Sequence, residues 1–193
     1  MAIPKSAIVI AVLIALAGSG CTQPDPNAKP TYACTPSDGG TPQPCYKAEH
    51  DLQAKEDKLY AEAEAVFRRF LAEEERIYRT GGVSAATPIM LETLTGDYLR
   101  SAINGFRALK ESGSTAVGGE FKIVWVRPYP AEVHEGTVAS VQACIDTHSV
   151  QMGTRDDKSK PGRVSVRTAF LARDGESLKI AYGRYRWVTS CSE

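Results

Sequence analysis

Asp146 and His148 stand two residues apart in the stretch "ACIDTHS". On an extended strand such residues share one face, and Cys144 shares it with them. A carboxylate beside an imidazole orients the ring and stabilises its cation, which is the arrangement of a general base. The same letters also fit a strand end, where Asp and Thr side chains bond their own backbone. Both readings stand at this point. Other catalytic signatures are missing from the sequence. Ser84, Ser101 and Ser140 have no Gly-x-Ser-x-Gly context, and GxGxxG, GKS/T and HExxH do not occur. "SGSTAVGG" is glycine-rich but lacks a basic residue and a following helix, so it reads as a loop. His134 in "PAEVHEG" reads as an exposed loop position, and His50 as a solvated residue in the first turn of a helix.

The five cysteines are Cys21, Cys34, Cys45, Cys144 and Cys191. No CxxC and no Cys/His spacing of zinc type is present, so neither a metal nor another cofactor is expected. In an oxidising compartment thiols pair, and an odd count leaves one over. If Cys21 carries lipid, four remain. The parsimonious pairing is Cys34 with Cys45 and Cys144 with Cys191, although four cysteines allow three connectivities.

The compartment is read from the amino terminus. After one cation, Lys5, the run Ala7–Ala17 is uncharged and apolar all round. It is shorter than the about 20 residues a bilayer span needs, and it ends in small residues, as a secretory signal does. "Gly18-Ser19-Gly20-Cys21" resembles a bacterial lipobox, with Gly18 where that pattern usually has an aliphatic residue. The expectation is a signal peptide over 1–20 and a lipid anchor on Cys21, holding the protein to the extracytoplasmic face of the cell membrane. The alternative is cleavage after "Ala15-Leu16-Ala17" and a secreted soluble protein.

Residues 21–45 read as a disordered proline-rich tether with a small disulfide loop. Pro24, Pro26, Pro30, Pro36, Pro42 and Pro44 fall there, and such composition favours extended and turn conformations over a packed core. Residues 46–193 read as one domain. Leu52, Leu59, Ala63, Val66, Phe67, Phe70, Leu71, Ile77 and Tyr78 recur at helical spacing. They predict a long amphipathic helix closed by Gly81-Gly82, with "EEER" at 73–76 as solvated surface. Thr87 and Pro88 open a short second helix. Leu99, Ala102, Ile103, Phe106 and Leu109 mark a third, ended by Gly113.

Beyond Gly119 the period becomes two. "EFKIVWVRPYP" alternates around Phe121, Ile123 and Trp125, and three further strands follow, the last two joined at Asp174-Gly175. "TRDDKSKPG" reads as an exposed loop. Segregated helices and strands predict an α+β fold. Charge balances, with 23 basic and 23 acidic residues, and nothing suggests a nucleic-acid partner. Arg184 and Arg186 share a strand face while Lys179 reads as facing the other way, so a solvated sheet face is expected in preference to an anion site. Trp125, Tyr182 and Trp187 are the residues expected to line an apolar ligand pocket or fill core.

The layout resembles the nuclear transport factor 2-like (SnoaL-like) fold. The matching stretches are the helix ending "RIYRTGG", the strand "SVQACIDTHSV" and the hairpin "TAFLARDGESLKIAYGRYRW". Cys144, Asp146 and Cys191 also resemble the strand Cys-x-Asp and terminal Cys of exported lipoproteins of high-GC Gram-positive bacteria, which are mostly of unassigned function. The resemblance implies three amino-terminal helices packed on a strongly curved antiparallel sheet, a cone with a pocket inside. The expected function is a surface-anchored lipoprotein whose non-catalytic domain binds a small apolar ligand or an envelope protein. One alternative is a cone-pocket enzyme (isomerase, dehydratase or hydrolase) using Asp146 and His148. Another is a structural module that forms a homodimer through the outer sheet face.

Overall fold

The computed structural model describes residues 29–36, 39–132, 134–154 and 160–192. The expected signal peptide and Cys21 lie outside the described residues. Chain contacts divide the protein between Lys47 and Ala48. In the first unit β1 (Tyr32–Cys34) and β2 (Gln43–Cys45) pair antiparallel, with Tyr32 opposite Cys45. The Cys34–Cys45 disulfide closes the hairpin, its Cα atoms 5.8 Å apart. The stretch read as tether thus contains a two-stranded, bridged element.

The second unit is mixed α+β with antiparallel sheets. Helix α1 runs Lys47–Thr80. It ends where Gly81 and Gly82 take positive φ, and the Gly82 N–H bonds the Ile77 carbonyl at 2.9 Å. A Cβ on Gly82 would meet the Phe106 carbonyl oxygen at 2.4 Å, so the absent side chain lets α1 end hard against α3. Helix α2 (Pro88–Thr93) is capped by the Thr87 hydroxyl, which accepts from the Met90 N–H at 3.2 Å. Helix α3 (Gly96–Ser112) ends at left-handed Gly113. Among the described residues no helix is long and apolar enough to cross a membrane.

The four-stranded sheet has the order β4 (Lys122–Pro128), β5 (Ala139–Asp146), β8 (Val164–Asp174), β9 (Ser177–Val188). A smaller sheet joins β3 (Thr115–Val117), β6 (Gln151–Gly153) and β7 (Lys160–Pro161). Strand β3 corrects the reading of "SGSTAVGG" as a plain loop, and β7 orders the end of the segment read as an exposed loop. The main core gathers Phe67, Phe70, Leu71 and Ile77 of α1, Met90 of α2 and Phe106 of α3. They pack with Val141, Ala143 and Ile145 of β5, Ala169 and Leu171 of β8, and Leu178 and Ile180 of β9. Each large side chain buried there contributes roughly 1.5–3 kcal/mol.

Four further readings of the sequence are corrected. Leu52 is 67 % exposed, because the first turns of α1 extend beyond the core. Glu73, read as solvated, is buried. Ile123 and Trp125 do not share a face: Ile123 pairs with Ile145, Trp125 with Cys144, and the extra residue Val124 is a bulge that turns Trp125 to the opposite side. A second bulge at Ala181, between the pairs Phe170–Tyr182 and Leu171–Ile180, reverses parity along β9. It puts Lys179 on the same face as Arg184 and Arg186, where Lys179 pairs with Asp174 at 2.8 Å.

Candidate functional site

Asp146 ends β5 on the sheet face turned away from the helices. Its Oδ1 accepts the His148 backbone N–H at 2.9 Å and lies 3.2 Å from His148 Nδ1. This is an Asx-type turn. The side chains are 38 % and 61 % exposed. The pair comes together in space, but at an open strand end near Lys122 and the Thr189–Ser192 segment. Of the two readings offered by "ACIDTHS", the geometry is that of the turn.

Cys144 is fully buried and bonded to Cys191, with Cα atoms 5.7 Å apart. The bridge pins the chain end to β5, and Trp125 Nε1–H donates to the Cys191 carbonyl at 3.0 Å. Trp125 therefore packs on the disulfide together with Val164, Val166 and Val188. Tyr182 lies on this same open face, its ring stacked on His134 at 4.4 Å and tilted against Phe170 at 5.6 Å. Trp187 pairs with Ser165 and belongs to the helix-side face, beside Tyr185 at 5.2 Å. The three aromatics named from the sequence do not line one pocket.

Two polar arrangements escaped the sequence reading. The first is on the helix side, where Arg167 of β8 is ion-paired with Glu74 of α1, the side chains 22 % and 13 % exposed. Burial pushes the phenols of Tyr78 and Tyr98 up to about 12, and the Glu74 carboxylate adds to that rise while Arg167 opposes it. Nearby, Glu73 holds Arg76 through two hydrogen bonds of 2.7 Å and bonds the Thr87 hydroxyl. These bonds, Arg76 first, keep its carboxyl below the usual range against the opposing effect of burial.

The second lies on the open face. Strand register sets Arg127 opposite Gln142, Gln142 opposite Thr168, and Thr168 opposite Arg184, one row across all four strands. Gln142 and Thr168 are buried, and the Gln142 amide donates to the Thr168 hydroxyl at 3.1 Å. Arg186 stands in the next row, opposite Val166. These side chains and Tyr129 line a cavity of ≈ 280 Å³. The Arg127 guanidinium lies 4.2 Å from the centre of the Trp125 ring. Arg184 is paired with Glu132 and sits 5.6 Å over Phe170. The register shift at Ala181 is what brings Arg184 into this row and Arg186 into the next one on the same face.

Among the described residues no group of three His, Cys, Asp or Glu side chains gathers in a way that could hold a metal. Comparison with known protein families, with curated proteins and with solved structures finds no match to this chain.

Proposed function

We propose that the chain is an exported lipoprotein, anchored through Cys21 to the extracytoplasmic face of the cell membrane. Its domain over 46–193 binds a ligand or partner and catalyses no reaction. The observation that carries the reading is the cysteine accounting. Four of five cysteines close on one another as Cys34–Cys45 and Cys144–Cys191, which fits an oxidising compartment. Cys21 is left with no thiol of its own chain to pair with, and it directly follows the small-residue end of the apolar leader. A thioether-linked lipid accounts for both facts.

The non-catalytic part of the reading is supported by Asp146, whose carboxylate closes a turn in the open. The resemblance to the nuclear transport factor 2-like cone is part of the same proposal. It is supported by the long α1, by core residues drawn from all three helices, and by the antiparallel four-stranded sheet. The test is fractionation of cells expressing the full chain and its Cys21→Ala variant. The expected result is wild type in the membrane fraction, released by detergent, and the variant in the soluble fraction or medium. A wild type that partitions like the variant overturns the anchor.

A further inference from the structure

We propose that the open face of the four-stranded sheet binds a small oxyanion of the phosphate or carboxylate class. Arg127 of one edge strand and Arg184 and Arg186 of the other would grip it. The inference rests on reading the domain as a binding module, and it names the ligand chemistry.

Adjacent strands lie about 4.8 Å apart, so the row from β4 to β9 spans roughly 14 Å. Arginine side chains reaching inward from both edges close most of that distance, and all three line the same cavity. None of its lining residues is acidic. Between the arginines lies a floor of two neutral, buried, mutually bonded side chains, Gln142 and Thr168. A guanidinium presents a planar fork that matches two oxygens of a carboxylate or phosphate. Two of the forks are already steadied by aromatic faces, Arg127 by Trp125 and Arg184 by Phe170, with Glu132 fixing the second. Less side-chain freedom is then lost when an anion arrives. A volume of ≈ 280 Å³ is just below the roughly 300–1,000 Å³ of small-molecule sites. It suits a single headgroup-sized anion.

The test titrates the mature exported protein with inorganic phosphate and with citrate at constant ionic strength. Heat of binding and tryptophan fluorescence are followed, since Trp125 lies beneath Arg127. A parallel arm floats the protein with vesicles of phosphatidylglycerol or of phosphatidylcholine. Saturable binding is expected, weakened at least tenfold in Arg127→Gln and in Arg186→Gln and unchanged in Arg107→Gln on α3. Arg127-dependent flotation of the Cys21→Ala protein with phosphatidylglycerol alone assigns the anion to a lipid headgroup. Binding of phosphate or citrate without such flotation assigns it to a soluble anion. No saturable binding in any arm, or equal binding by the two variants and wild type, overturns the site. Anchoring through Cys21 is read separately, so the two proposals fail independently.

Discussion

Glu74 of α1 and Arg167 of β8, 93 residues apart in the chain, form an ion pair between helix and sheet. A second pair, Glu62 with Arg173 at 2.9 Å, joins the same two elements in the opposite order along the chain. Twelve helical residues rise about 18 Å and six strand residues about 20 Å. The two pairs therefore index α1 antiparallel to β8, with apolar Ala169 and Leu171 between them. Glu74→Gln leaves the Arg167 cation without its carboxylate in a mostly buried place. It is expected to lower unfolding free energy by on the order of 3 kcal/mol, read from the urea midpoint. Glu62→Gln, more exposed, is expected to cost under about 1 kcal/mol.

Tyr78 and Tyr98 favour the neutral phenol because burial disfavours the phenolate. Their folded values, about 12, lie above the unfolded value of about 10. The stability they contribute is complete below pH 10 and is lost as pH rises toward 12. Absorbance titration near 295 nm should show a late component that Tyr78→Phe and Tyr98→Phe each reduce. If neither variant changes the late component, the assignment is wrong.

Glu73 behaves in the opposite sense. Its side chain is 2 % exposed, and its folded carboxyl is depressed, chiefly by Arg76 and also by Thr87, against burial. Its stabilisation is present above the unfolded value of about 4.3 and lost as pH falls through the depressed folded value. Glu73→Gln should lower stability at pH 7 and flatten the acid limb of a stability–pH curve. An unchanged acid limb would remove Glu73 from it.

The legible parts of this fold were written locally. Gly81-Gly82, Thr87-Pro88 and Gly113 each carry a backbone requirement within one helical turn, and they mark the helix ends. Of the three connectivities four cysteines allow, the parsimonious one, Cys34 with Cys45 and Cys144 with Cys191, is the one that forms. The unread parts depend on distant partners. "EEER" has the composition of solvated surface, and only Arg167 and Thr87, outside the stretch, reveal why Glu74 is half-buried and Glu73 buried. Strand β3 is three residues long and gains its identity from pairing with Gln151–Gly153. Single-residue bulges at Val124 and Ala181 invert the alternation, so a strict period of two misassigned Trp125 and Lys179. The arginine row is invisible without that register.

The Cys144–Cys191 bridge closes a separation of 47 residues, for which chain entropy gives about 4 kcal/mol. Replacing both cysteines by serine should lower stability by about that amount. It should also shift Trp125 emission to the red, since the indole loses its hold on the Cys191 carbonyl. Unchanged emission would show that Trp125 keeps its place without the bridge.

The most direct test of the account is the intact mass of the mature protein from its exporting host, before and after reduction. An anchored protein begins at Cys21 and carries a diacylglyceryl mass. With both bridges closed it gains about 4 Da on reduction, two hydrogens for each bridge. A lipid-free chain beginning at Gly18 would contradict the anchor and make this a secreted protein with an unpaired thiol at Cys21.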